Sequence, residues 1–123
     1  YLLKDQLRKA ERCIELLRRA EKKEIQLYTS DLVVAELVWV LHSNRYGLAL
    51  PRIRELLMPI MELPGLKVVH ASLYSRMFFL CIEHKIDYID AYNVSAMEEM
   101  GLNQVYSYDA HFDKIPGIKR LEP

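Results

Sequence analysis

Apolar residues recur at helical spacing from about Gln6 to Lys23, where Leu7, Ala10, Ile14, Leu17 and Ala20 make one stripe. This predicts an amphipathic helix that packs by that stripe on something flat. The pattern then changes. Ile25 to Tyr28 reads as a short apolar strand, and Thr29-Ser30 leads into a second helix with Ser30 as its N-cap. From Leu32 to Leu41 that helix is apolar on nearly every face, the mark of a helix buried on most sides. Glu36 is its only charge in that span.

His42, Ser43, Asn44 and Gly47 mark a helix end and a loop, after which Pro51 opens a third helix through Ile53, Leu56 and Leu57 that Pro59 should end or kink. Pro64-Gly65 is a turn, Leu66 to His70 a second strand, and Ser72 the cap of a fourth helix bearing Leu73, Met77, Leu80 and Cys81. A fifth helix begins at Asp87, carries Ala91, Val94, Ala96 and Met97, and stops at Gly101. A short strand, Gln104 to Ser107, meets Asp109 and a turn with His111, Phe112 and Asp113. Pro116-Gly117 then leads into an edge strand, Ile118 to Leu121. Strands alternating with helices predict a parallel sheet covered on both faces: a three-layer α/β/α sandwich in one domain, residues 1–123.

Composition adds exclusions. With 51% hydrophobic and 28% charged residues the chain has the balance of a soluble globular protein, and no apolar run approaches the roughly 18 to 20 residues of a membrane span. With no signal-peptide pattern either, a cytoplasmic location is expected. Cys13 and Cys81 show no CxxC spacing and read as two buried thiols. The 17 basic and 17 acidic residues cancel, so no global field draws in nucleic acid. Lys4, Arg8, Lys9, Arg12, Arg18, Arg19, Lys22 and Lys23 crowd the first helix, but interleaved Glu11, Glu15 and Glu21 favour a solvated face over a phosphate-binding one. The histidines read as surface or supporting residues, and the Met and aromatic residues, among them Trp39, Phe78 and Phe79, as core.

Chemistry concentrates in carboxylates at element ends. Asp90 lies in the first turn of a helix, and Asp109 leaves the end of a strand, where open parallel sheets bind ligands. Asp87 and Asp90 are also spaced like a capping pair, so for Asp90 alone capping and function both stand open. Glu36 tips the balance. A lone carboxylate on an apolar helix needs a salt bridge, an exposed narrow face or a metal ion.

The runs TSDLVVAELVWVL, DYIDAYNVSAME and VYSYDAHFDKIPGI, in this order over nearly the whole chain, resemble a PIN-domain ribonuclease of the VapC-like toxin group. The resemblance implies a metal-dependent endonuclease acting on RNA, with Glu36, Asp90 and Asp109 as its acidic site and Asp113 as a further acid near a second metal. It implies that Ser107 orients the strand-end carboxylate or a water, and it leaves Asp87 as a cap. Oxygen ligands without thiols or imidazoles suit Mg²⁺ or Mn²⁺. The third and fourth helices offer more apolar surface, including Leu56, Leu57, Met58, Ile60, Met61, Phe78 and Phe79, than a small monomer easily covers, so a homodimer is expected. The resemblance points the same way and also implies an antitoxin partner. PIN domains begin with a strand ending in a metal-binding Asp, and Tyr1 to Asp5 look like the residues just after it. The given chain is therefore expected to lack its N-terminal strand and to be catalytically incomplete alone. Two other readings are an inactive PIN-like binding or scaffold module and a receiver-like domain with an acidic Mg²⁺ site.

Overall fold

The computed structural model describes residues 2–123, with side-chain surroundings from residue 6 onward. Among these residues the chain runs through α1 (Leu2–Glu21), β1 (Leu27–Thr29), α2 (Asp31–His42), α3 (Leu50–Met61), β2 (Leu66–Val68), α4 (Ala71–His84), α5 (Tyr88–Glu99), β3 (Gln104–Tyr106), a short 3-10 helix (Ala110–Lys114) and β4 (Lys119–Leu121). This is an α/β fold with parallel strands, as the alternation predicts. The strands described do not form one sheet. β1 pairs with β2, Leu27 opposite Leu66, and β3 pairs separately with β4, Gln104 opposite Lys119.

The core is built on α4 and α5. Tyr74, Met77, Phe78 and Cys81 recur at i, i+3, i+4 and i+7 and are all buried, facing Ala91 and Val94 of α5. Ile53 and Leu57 from α3, Val34 and Val38 from α2, and Phe112 and Ile115 near the C-terminus complete it. Ser95 is a buried polar residue, and its hydroxyl donates to the Leu73 carbonyl at 3.0 Å, so its burial leaves no orphan group.

Several expectations of burial are corrected. Leu7 is 57% and Ile14 50% exposed, because of the stripe only Leu17, half-buried, and Ala20, buried, are covered by the body of the domain; Cys13 is exposed, while Cys81 is buried. That last turn sits tightly on the Pro64-Gly65 turn. A Cβ at Gly65 would lie 2.3 Å from the Ala20 carbonyl oxygen and 2.6 Å from that of Ile25. α2 is buried on one side only, leaving Leu32 78% and Trp39 63% exposed. An all-round apolar helix can be buried everywhere, but here, among the described residues, only Val34 and Val38 are fully covered, with Ala35, Val40 and Leu41 half-buried beside them. Phe78 is core and Phe79 is not; Phe79 lies under the Arg76 guanidinium at 5.0 Å.

The helix caps divide in the same way. Ser30 caps α2 by accepting the Val33 N–H, as its position predicts. Pro51 lies in the first turn of α3, which ends two residues beyond Pro59. Ser72 does not cap α4: the helix starts at Ala71, and the cap position is His70, in left-handed backbone at φ 55°. That conformation carries the His70 imidazole to Asp31, Nδ1 lying 3.1 Å from Oδ2. The same oxygen accepts the Tyr92 hydroxyl at 2.7 Å, and the Tyr74 hydroxyl donates to the Asp31 carbonyl. One residue thus joins the start of α2 to α4 and α5. The Tyr92 hydrogen bond first, then His70, holds the Asp31 carboxyl below the usual carboxylate range.

Candidate acidic site

Asp90 is half-buried in the first turn of α5 and makes no hydrogen bond or ion pair among the described residues. It is not the cap. Asp87 fills that role, accepting the Ile89 N–H at 2.8 Å. Burial pushes the Asp90 carboxyl upward, and the negative charges of Asp109 and then Asp87 push it further, against a smaller opposing effect of His111. Asp90 and Asp109 therefore share one electrostatic environment.

Asp109 stands beyond β3, exposed, at the start of the 3-10 helix. Its Oδ1 accepts the His111 backbone N–H at 2.9 Å and lies 3.0 Å from His111 Nδ1. That backbone bond is the main reason its carboxyl falls below the usual range, with the His111 ring and Arg120 adding to it. The two acids are thus displaced in opposite directions. Ser107 accepts the Asp109 backbone N–H on Oγ at 2.9 Å, so it fixes the backbone of Asp109 rather than its carboxylate.

Asp113 and Glu36 are placed differently. Both oxygens of Asp113 are engaged by Arg120, whose Nε and Nη2 donate at 3.1 and 3.2 Å. Glu36 is not a buried charge; it lies exposed on the outward face of α2 and makes no hydrogen bond or ion pair among the described residues. The expected burial fails because Glu36 is left uncovered among the described residues. No three His, Cys, Asp or Glu residues gather as a metal-holding group among the described residues. The charge of Asp109 acts on Asp90, while Asp113 is engaged by Arg120 and Glu36 is exposed on α2. Two residues that the sequence does not single out, Arg120 and Asp31, anchor the surroundings. For Arg120 the available signal is a cation inside a predicted strand.

The upward displacement of Asp90 has a measurable sign. As pH rises, the unfolded chain releases this proton first, so folding loses stability between the ordinary aspartate range and the higher folded value. Asp90→Asn, in chelator, should therefore raise the melting temperature at pH 7 by roughly 1–4 °C, with the gain fading below about pH 3. A variant that melts below the parent at pH 7 would contradict the placement.

The described residues thus form an α/β domain with parallel strands, one acid just beyond a strand and one at a helix start. A family model described as PIN domain matches residues 1–118, and the chain belongs to that family. PIN domains are generally nucleases that act on nucleic acid and use divalent metal ions. No curated protein and no solved structure matches the chain.

Proposed function

We propose that this protein is a metal-dependent endoribonuclease of the VapC-like toxin group, hydrolysing RNA phosphodiester bonds and restrained by an antitoxin protein. The observation that carries the reading is the charge of Asp109, an acid from an element far away in sequence, acting with burial to push the half-buried Asp90 carboxyl upward. Their donor set fits Mg²⁺ or Mn²⁺, which prefer carboxylate oxygens. Asp90 and Asp109 would hold the ion, with Glu36 and Asp113 as further acids; each Asp113 oxygen keeps a lone pair beyond its bond to Arg120. When bound, such an ion supplies an activated water and stabilises the leaving oxygen. The protein's own part is positioning. Asp87 caps α5 and so sets Asp90 in its first turn, while Ser107 and His111 hold the backbone and carboxylate of Asp109.

In the same reading the two sheets belong to one three-layer α/β/α sandwich. The unpaired edges of the described two-stranded sheets support this. The site is read as cytoplasmic, and no helix among the described residues is long and apolar enough to cross a membrane.

The test is incubation of the full-length protein with a mixed RNA pool in Mn²⁺ or Mg²⁺ and in EDTA. Cleavage in either ion that stops in EDTA is the expected result. The alternative, an inactive PIN-like binding module, is favoured by the lack of a group of three acids or other ligands able to hold a metal among the described residues. RNA bound but left intact in both ions would establish it.

A homodimer is part of the proposal, through α3 and α4. Leu56, Ile60 and Phe79 are 39%, 38% and 46% exposed there, although Leu57 and Phe78, also expected at that surface, are buried in the core. Light scattering should return twice the chain mass at micromolar concentration; a monomer mass would remove this part.

A further inference from the structure

The turn that carries Asp109 is held from outside by one guanidinium. We propose that Arg120 is a positioning residue of the acidic site, clamping both ends of that turn so that Asp109 stays beside Asp90; this rests on the metal-dependent reading above. Arg120 lies on β4, opposite Val105 of β3, and its side chain is only 17% exposed. A cation so far withdrawn from water needs partners, and Arg120 has them on every side. Nε and Nη2 form a fork on the two oxygens of Asp113, at 3.1 and 3.2 Å. Nη1 donates to the Ser107 carbonyl at 3.1 Å and to Glu122 at 3.0 Å.

The placement of these partners gives the clamp its effect. Ser107 comes just before Asp109, and Asp113 lies in the 3-10 helix just after it. The guanidinium therefore bridges the entry and the exit of the segment. Within it, Asp109 gives its N–H to Ser107 Oγ and takes the His111 N–H on its carboxylate. Releasing the clamp frees Ser107 and the 3-10 helix to move apart, and the carboxylate loses its fixed direction. An isolated surface pair such as Arg52 with Glu55 joins neighbours on one helix and constrains nothing beyond it. Arg120 joins a strand end, a 3-10 helix and the chain beyond β4. Lysine would bring the charge without the fork.

The experiment uses the full-length protein and its Arg120→Lys and Arg120→Gln variants, with three readouts. The first is amide hydrogen exchange at Asp109 and His111 without metal, the second Mn²⁺ affinity by calorimetry, and the third kcat and KM on a fluorogenic single-stranded RNA. In Arg120→Gln the Asp109 and His111 amides should exchange at least about 10-fold faster while the Phe78 amide is unchanged. Mn²⁺ affinity and kcat should fall by about 10–100-fold, the range typical of groups that orient metal ligands, with KM held. Arg120→Lys should recover part of each loss. A role in stability alone would lower the melting temperature and leave kcat and Mn²⁺ affinity of the folded protein at parental values. Exchange, affinity and kcat all within about twofold of the parent would overturn the proposal. If Arg120→Gln does not fold, Asp113→Asn, which keeps the shape of the partner and removes its charge, should show the same changes in smaller measure, and unchanged exchange there would overturn it. If the parent neither binds Mn²⁺ nor cleaves RNA, the nuclease reading falls, and exchange still decides the clamp.

Discussion

Asp109→Asn should lower Mn²⁺-dependent RNA cleavage at least about 100-fold, beyond what loss of a merely supporting group costs. The substitution is close to isosteric. An Asn carbonyl oxygen can still accept the His111 N–H that Oδ1 accepts in the parent, and the Ser107 contact is made by backbone and is untouched. The 3-10 helix keeps its cap, and the fold should change little. What disappears is the negative charge, the property that makes Asp109 an ion ligand and that acts on Asp90 across the site. The check is paired: circular dichroism to confirm an unchanged fold, and single-turnover cleavage to read the rate. Cleavage within about threefold of the parent, in a protein that folds normally, would remove Asp109 from the site.

Phe78→Ala should be the most damaging truncation in the core. Phe78 is fully buried, packed among α4, α5 and α3, and removing its ring leaves a cavity that the surrounding side chains cannot close. The expected cost is about 3–5 kcal/mol. That is a large share of the roughly 5–15 kcal/mol that holds a domain together. Its neighbour supplies the control. Phe79 is 46% exposed and makes only an edge contact with His84 and a face contact with Arg76, so Phe79→Ala should cost about 1 kcal/mol or less. Urea unfolding of both variants decides the matter. Equal losses at the two positions would mean that α4 is rotated from its described orientation.

This contrast between adjacent residues shows what a sequence reading can reach. Interactions spanning a few residues were legible: the Ser30 and Asp87 caps, the Pro51 helix start and the stop at Gly101 follow from local chemistry. Parallel strands followed from their alternation with helices, although each pairs over only three residues. Asp90 and Asp109 could be singled out because both sit at element ends. Exposure was not legible. Trp39, Cys13 and the stripe of α1 look like core by composition, and whether they are covered depends on which neighbours arrive. Glu36 misleads for the same reason: an apolar helix need not be a buried one. The contacts that tie α2 to α4 and α5 were hidden for a different reason. Asp31 meets Tyr92 across 61 positions and His70 across 39, and no periodicity encodes such pairings.

Gly65 makes α1 separable by genetics. Any side chain at that position must strike the Ala20 and Ile25 carbonyl oxygens, both of them backbone, so it cannot be accommodated by turning a rotamer. Ala20, Ile25 and Gly65 are outside the core cluster built on α4 and α5, and Asp90 and Asp109 belong to other elements. Gly65→Ala is therefore an allele that unseats the most heavily charged helix of the chain while leaving the acids in place. It allows whatever α1 contributes in a cell to be scored apart from the chemistry of the acidic site.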